Sequence, residues 1–274
     1  MFLDAETWIK AMLSYTRLDK MEQEDFYWVW LTCVNGVGPV KAHKLLEKYK
    51  TAKIIYEQRY DIEAIAKSNM LEQSQEKAER IIEICKKRGI EIISYCNSRY
   101  FTFWKEYYDF PVLLYLKGKE WNINAHYTGI VGARRCSVNG KQKAVEISEC
   151  AVRGKSIVVS GMAKGVDSYA HTACIKNGGK TIAVLGNGVD ICYPTEHKYL
   201  YDEICNNGSL VSEYPPGTRP NRYNFPRRNR IIAGFSDKIY VIEAGKNSGT
   251  TSTVEAAIKY GKKIEYVDCY GHEK

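Results

Sequence analysis

The residues best suited to bind an anion lie in one segment, NFPRRNRIIAG, at positions 224–234. Arginine guanidinium groups bind phosphate oxygens, and a phenylalanine ring stacks on a nucleobase. The alternative is structural, and at least one of Arg228 and Arg230 is expected to buttress the fold through a carboxylate such as Glu243. The candidate binding residues of this segment are Phe225, Arg227, Arg228, Asn229 and Arg230.

Four further loops combine glycines, hydroxyls or cations directly after apolar runs. Glycines let a backbone approach a ligand closely, and hydroxyls with free amides at a helix start favour an anion. The alternatives are arginines paired with nearby carboxylates and residues that only cap helices, as is expected of Asp167. In chain order the loops offer Arg134, Arg135 and Ser137; Gly161 and Lys164; Gly186 and Asn187; and Ser248 and Thr250.

These loops are expected to meet at one edge of a sheet, because apolar strands and helices alternate from residue 127 onward. Largely apolar strands separated by helices indicate a parallel sheet that is covered on both faces. In such a sheet, ligands bind outside the carboxyl ends of the strands. The predicted strands are 128–131, 156–160, 181–185, 210–212, 238–243 and 263–267, and the predicted helices are 138–152, 166–177, 196–206 and 250–260.

The chain before this α/β region is predicted to form a helical domain, 1–95, and a connecting segment, 96–126. Within the helical domain, the sequence LTCVNGVGPVKAHKLL at 31–46 fits a helix-hairpin-helix, in which Gly36 and Gly38 permit a tight turn. Such a hairpin either contacts DNA phosphates through its backbone amides or serves only for packing. The connecting segment is rich in aromatic residues and is expected to be packed down before the third part, 127–274.

The excess positive charge is concentrated in the last part of the chain. The 274 residues carry a formal net charge of +8, from 40 basic and 32 acidic residues. Residues 125–274 hold 21 of the basic and 14 of the acidic residues, a balance of +7. A basic domain with aromatic residues favours an anionic partner, of which nucleic acid is the commonest. A solubilising surface charge is the alternative.

Composition excludes several other classes of protein. With 45% hydrophobic and 26% charged residues, the chain is neither disordered nor fibrous. Its apolar runs are too short for a transmembrane helix, and its start, MFLD, lacks the features of a secretory leader. The nine cysteines have no CxxC spacing and the five histidines form no close pair. Reduced cytoplasmic thiols and the absence of a metal site are therefore expected.

The ordered motifs of residues 128–263 resemble the DNA-processing protein A (DprA/Smf) family. The segments that carry the resemblance are GIVGARRCS, VVSGMAKGVDSYAH, TIAVLGNGVDICYP, LVSEYPPGT, NFPRRNRIIAG and IEAGKNSGTTST. The helix-hairpin-helix-like region before them fits the same family. The resemblance implies an α/β fold, with an extended Rossmann-like, mostly parallel sheet and an N-terminal all-helical domain of helix-hairpin-helix or SAM-like type.

The resemblance also implies a binding protein rather than an enzyme. Members of the family bind single-stranded DNA with little sequence preference, form homodimers, protect incoming DNA and load RecA recombinase during natural transformation. For this chain it implies a single-stranded DNA site along the basic crevice, with no cofactor, metal or catalytic residue, and action in the cytoplasm away from membranes. Arg134 leads the expected contacts, followed by Lys164, the loop at 186–187 and the segment 225–230.

The sequence departs from the family pattern at two places, and two other functions stay open. Glu255 is acidic where a neutral or basic residue is expected, and no winged helix is expected after the last strand. The first alternative is a nucleotide-binding sensor or phosphoribohydrolase-like enzyme, in which Arg134 or Arg228 acts with Glu255 on a glycosidic bond. The second is a protein-interaction scaffold whose basic crevice is incidental.

Overall fold

The computed structural model describes residues 24–62, 71–245, 249–267 and 269, with residues 71–73 described for their backbone alone. The chain divides into two compact units, Met1–Lys86 and Lys87–Lys274. Among the described helices, none is long and apolar enough to cross a membrane.

The first unit is helical, as the spacing of its apolar residues predicts. Trp30 and Tyr56 pack edge to face in its core, with ring centroids 4.9 Å apart. The predicted helical hairpin is present, and Gly36 in its turn has a φ of +78°, which glycine adopts without steric cost. The helices are α1 (24–33), α2 (Pro39–Tyr49), α3 (Ala52–Glu57) and α4 (Leu71–Arg88).

The second unit is built on one eight-stranded sheet, in the order β1-β2-β6-β5-β4-β3-β7-β8. Strands β3 to β8 are parallel, and β2 runs antiparallel to both of its neighbours. The chain steps outward from β3 to β6 and then crosses to β7, which places the topological switch beside β3 and β7. The strands are β1 (Glu91–Ser94), β2 (Leu113–Gly118), β3 (Tyr127–Gly132), β4 (Ile157–Ser160), β5 (Thr181–Val184), β6 (Ser209–Ser212), β7 (Lys238–Ile242) and β8 (Lys263–Val267).

Helices cover both faces of this sheet, which confirms the expected Rossmann-like α/β class. Successive strand residues point to opposite faces. Val131, for example, lies in one hydrophobic core with Ile232, whereas Ile130 lies in a second core with Ala144. The helices of this unit are α5 (Val138–Arg153), α6 (Val166–Lys176), α7 (Lys198–Asn207), α8 (Asn224–Phe235) and α9 (Thr251–Lys259).

Helix α8 is not predicted by the sequence pattern, because its first two turns are mainly polar and basic. Pro226 lies in the first turn, where the missing N–H of proline costs no helical hydrogen bond. The apolar residues that anchor the helix, Ile231, Ile232 and Phe235, come only afterwards and are buried. The basic segment of the sequence is therefore a helix and not a loop.

The aromatic residues of 96–126 belong to the core of the second unit. The Trp104 Nε1–H donates to the Gly234 carbonyl oxygen at 2.9 Å. The Trp104 ring stacks on Phe110, with ring centroids 4.4 Å apart. A Cβ atom at Gly234 would lie 2.3 Å from Phe110 Cε2, so that only glycine fits there. This segment also contributes β2 to the sheet, and it therefore holds α8 in place.

Replacing Gly234 with alanine is expected to lower the free energy of unfolding by about 1–3 kcal/mol, the usual cost of overpacking a core. Gly154→Ala is the matched control, because an added Cβ there meets only ordinary contacts at 3.5 Å. Urea denaturation of both variants checks this expectation. Equal stability of the two variants would contradict the packing described for Gly234.

Candidate nucleic-acid interface

A cavity of about 580 Å³ opens at the carboxyl ends of β3 and β4, beside the topological switch. Loops that follow each of the strands β3 to β7 line it, together with residues of α8 and the start of α9. The sequence-predicted residues among its lining are Arg134, Phe225, Arg228, Asn229 and Thr250.

Arg134 and Arg135 follow β3, and Arg134 lines the cavity. Both side chains are exposed, and neither forms an ion pair with a carboxylate in the described part of the chain. The Cζ atom of Arg134 lies 6.0 Å from the centre of the Phe225 ring, within the range of a cation–π contact. Arg134 thus combines an aromatic contact with a charge that remains available to an anion.

An aromatic wall forms beside Arg134 from Phe225 and Tyr193. Their rings stack with centroids 5.5 Å apart and an interplanar angle of 25°, and Tyr193 is 44% exposed. Gly186 makes room for this wall, since a Cβ atom there would lie 2.7 Å from Phe225 Cδ1. Sequence reasoning missed Tyr193 as a site residue. The signal was its place just after the loop that follows the third predicted strand.

Arg228 is buried and bonded to the protein, with 5% of its surface exposed. Its Nη1 donates to the carbonyl oxygens of Gly161, at 2.8 Å, and Val184. Burial lowers the pKa of its guanidinium to about 10, and the Asp167 carboxylate opposes that shift. The side chain therefore stays charged at neutral pH, and it joins α8 to the ends of β4 and β5.

Asp167, at the start of α6, supplies a buried negative charge near Arg228. Its Oδ2 accepts from the backbone amides of Gly161, at 3.1 Å, and Ala163, at 3.3 Å. Burial raises the pKa of the Asp167 carboxyl, and the positive charge of Arg228 opposes the shift. The expectation that Asp167 caps α6 is wrong, because Gly165 is the N-cap and the carboxylate holds the preceding loop instead.

Gly161 separates the two buried charges and leaves no room for a side chain. A Cβ atom there would lie 2.6 Å from Arg228 Nη2 and 2.8 Å from Asp167 Oδ2. We name the set Arg228, Asp167 and Gly161 the buried clamp. The sequence made these residues candidates for contact with a ligand or for helix capping. In the structure their polar groups instead form hydrogen bonds within the protein.

Arg230 and Asn229 are also engaged with the protein. Arg230 forms a two-pronged ion pair with Glu213, in which Nη1 lies 2.9 Å from Oε1. The expected carboxylate support is thus confirmed for Arg230, but its partner is Glu213 and not Glu243. Asn229 Nδ2 donates to the Gly249 carbonyl at 2.8 Å and to Ser252 Oγ at 2.9 Å. These bonds fix the start of α9 against α8.

Glu243 occupies the start of α5 instead. Its carboxylate accepts from the backbone amide of Ser137 at 2.8 Å and from the Ser137 hydroxyl. The same Ser137 Oγ accepts from the Gly140 amide and caps the helix. A carboxylate at this helix start takes the place that a phosphate has in dinucleotide-binding sheets. Ser137 is therefore bonded to Glu243 and to the start of α5, and it helps to fix the loop that carries Arg134.

The other predicted residues are divided between the surface and the fold. Lys164 is exposed and pairs with Glu196, so that its charge is shared. Asn187 is buried and donates to two carbonyl groups of its own loop. Arg227 is exposed with no carboxylate partner among the described residues, and Thr250 lies at the cavity wall as the N-cap of α9. Ser248 lies outside the described residues.

The residues proposed for a hydrolase-like reaction are not brought together. Glu255 is exposed and does not line the cavity, whereas Thr253 is the residue of α9 that does so. Arg228 is held by the buried clamp. Within the described ranges, no group of three or more histidines, cysteines or carboxylates could hold a metal ion.

Residues 91–272 match the family described as DNA recombination-mediator protein A. The chain is 44% identical over 159 residues to DNA processing protein DprA of Streptococcus pneumoniae, a match that covers 58% of this chain and 56% of that protein. It is 35% identical over 208 residues to DNA processing protein DprA of Bacillus subtilis, covering 75% of this chain and 70% of that protein.

Two solved structures extend the comparison to the fold. The X-ray structure of Streptococcus pneumoniae DprA is similar with a TM-score of 0.74 and 32% identity, over 90% of this chain and 88% of that one. DNA processing protein A of Helicobacter pylori, described for its single-stranded DNA binding mode, has a TM-score of 0.60 and 26% identity, over 68% of this chain and 83% of that one.

Removing the cation of the buried clamp is expected to be costly. Arg228→Met leaves Asp167 buried without its counter-charge, which lowers the free energy of unfolding by about 3–5 kcal/mol. Its exposed neighbour Arg227 is the matched control, and Arg227→Met is expected to change stability by less than about 0.5 kcal/mol. Urea denaturation measures both values. Similar losses in the two variants would contradict the role given to Arg228.

His171 is expected to make stability depend on pH. It is fully buried on α6, and its Nδ1 lies 2.7 Å from Thr181 Oγ1, whose hydroxyl donates to the Val158 carbonyl. Nδ1 therefore carries the proton and donates to Thr181. Burial lowers the pKa of His171 to about 3.

Because the unfolded histidine titrates near pH 6.5, the unfolded state binds more protons than the folded state between about pH 6.5 and 3. The contribution of neutral His171 is therefore complete above that range and is lost as the pH falls through it, by up to about 1.4 kcal/mol per pH unit. His171→Gln removes this part of the slope. Urea denaturation from neutral to acid pH tests it, and identical slopes would contradict the assignment.

Proposed function

This chain belongs to the DNA recombination-mediator protein A family, and from that membership we propose that it binds single-stranded DNA in the crevice at the carboxyl ends of β3 and β4. The observation that carries the proposal is the division of its arginines. Arg228 and Arg230 are bonded to the protein, whereas Arg134, Arg135 and Arg227 have no ion pair with a described carboxylate. A net positive charge is thus left at an edge that also holds a cavity.

Phosphates of the DNA backbone contact the free arginines and the start of α9. Guanidinium groups bind phosphate oxygens in a forked geometry. Helix α9 has no acidic residue in its first turn, and Gly249 and Thr250 line the cavity at that end. Amides at such a helix start favour negative charge. Contacts of this kind read no base sequence, so the proposed site accepts a strand of any sequence.

Bases of the strand stack on the aromatic wall. Tyr193 and Phe225 present stacked rings beside Arg134, and base–aromatic stacking contributes about 1–3 kcal/mol per base. Paired bases inside a duplex cannot reach such a wall without being unstacked. The wall therefore gives the site its preference for single strands over duplex.

The wider role that we propose is that of a recombination mediator, not an enzyme. In it, the protein protects incoming single strands and loads RecA recombinase onto them during natural transformation, as a homodimer in the cytoplasm. Family membership supports this role. The match covers 56% of the Streptococcus pneumoniae relative, and the relatives' activities are extended to this chain as part of the proposal.

The test is fluorescence anisotropy of a labelled oligo-dT strand of about 30 nucleotides, titrated with protein across a salt series. Wild-type protein is expected to bind the strand more tightly than a matched duplex. Arg134→Ala is expected to weaken strand binding about tenfold and to reduce the salt slope by about 0.7, the value for one phosphate contact on a single strand.

Arg153→Ala is the control for this experiment, because Arg153 is an exposed arginine in the last turn of α5, away from the cavity lining. Its affinity for the strand is expected to equal that of wild type. Equal loss in the two variants, or unchanged binding by Arg134→Ala, would remove the crevice from the proposal. The absence of any binding at low salt would remove the DNA function itself.

A further inference from the structure

Helix α2 of the first unit carries a row of lysines that binding at the crevice does not use. Lys41, Lys44 and Lys48 follow the i, i+3, i+7 spacing that places residues on one face of a helix. The apolar residues Ala42, Leu45 and Leu46 are buried on the other side. Packing of the apolar face therefore directs this lysine face, which we define by those three lysines, toward solvent.

The lysine face is not neutralised by neighbouring carboxylates. All three lysines are exposed, and none forms an ion pair with a carboxylate of the described residues. Lys50 follows closely, so that residues 41–50 hold four lysines and a single acidic residue, Glu47, whereas Lys53 pairs with Glu57 at 3.8 Å. Surface lysines in a solubilising role are normally mixed with acidic residues. A row of lysines without carboxylate partners, of which Lys48 lies over the Tyr49 ring at 5.0 Å, is instead suited to an anionic partner.

The turn before α2 extends this positive surface. Lys41 Nζ lies 3.9 Å from the position that a Cβ atom at Gly36 would occupy, so that the ammonium group stands over the turn. Gly36 and Gly38 are exposed there, and the first turn of α2 contains no acidic residue. The positive end of the helix dipole thus lies beside Lys41, whereas Lys48 lies in the last turn, at the opposite end of α2.

We propose that the lysine face binds the phosphate backbone of DNA as a second contact surface, separate from the crevice. This inference rests on the proposed function only in that the protein acts on DNA. Seven residues of α-helix rise about 10 Å, roughly the axial length of three nucleotides in one strand of a duplex. Lysine ammonium groups act as point charges, so that this contact carries no base preference.

The test compares two full-length triple variants that lose the same charge. Lys41→Gln, Lys44→Gln and Lys48→Gln remove the lysine face. The control combines Lys119→Gln, Lys176→Gln and Lys180→Gln, which are exposed lysines near the amino ends of the parallel strands with no described ion pair. Salt titrations use a labelled oligo-dT strand of about 60 nucleotides and a duplex of about 60 base pairs.

For the lysine-face variant we expect about tenfold weaker binding. The salt slope is expected to fall by about 2 on the single strand, from three contacts at about 0.7 each, or by about 3 on the duplex, from three contacts at about 0.9 each. Loss with either form of DNA supports the inference, and the form affected identifies the ligand. A variant with arginine at all three positions is expected to bind like wild type. Wild-type binding by the arginine variant would show that the positive charge, and not the lysine side chain itself, is required for the contact.

Two results would overturn the inference while leaving the crevice intact. In the first, the lysine-face variant binds both forms like wild type, although Arg134→Ala weakens binding. In the second, the two triple variants lose the same affinity for DNA. The loss would then follow from the lower net charge of the protein and not from the position of the lysines. Failure of wild-type protein to bind either form would overturn the inference together with the proposed function.

Discussion

An arginine buried beneath the crevice is the constraint on which the site depends. The charge of Arg228 cannot be left without partners in the interior, because an unpaired buried ion costs several kcal/mol. Carbonyl groups at the ends of β4 and β5 and the carboxylate of Asp167 supply those partners. Satisfying one charge therefore fixes two strand ends, the loop between β4 and α6, and the first turns of α8 in one arrangement.

That arrangement decides which neighbouring residues are free to meet a ligand. Adjacent helical residues point about 100° apart. With Arg228 turned inward, Arg227 is exposed and Phe225 reaches the cavity, where Gly186 leaves room for its ring. The same rotation directs Arg230 toward Glu213. The arginines of this segment therefore have two roles. Arg228 and Arg230 stabilise the fold, whereas Arg227 is exposed to a ligand.

The sequence is sufficient to predict the strands, most helices and the edge at which the loops meet, because short apolar strands that alternate with helices indicate a parallel sheet. It is not sufficient to assign the arginines. Glu213 and Glu243 are both plausible partners in sequence, and only the path of the chain brings the first to Arg230 and the second to Ser137, 106 residues away. The role of Tyr193 could not be predicted for the same reason, since its stacking on Phe225 depends on tertiary packing. Helix α8 was not predicted because its first two turns, which carry the site residues, are polar and lack the apolar spacing of a helix.

The most direct test of the crevice is amide hydrogen exchange, measured with and without an oligo-dT strand. We expect the bound strand to slow exchange at residues 132–137 and 249–253, which flank the cavity. Residues 176–181, at the opposite edge of the sheet, are expected to exchange at the same rate in both states. Protection at 176–181 with none at the crevice would contradict the placement of the DNA site.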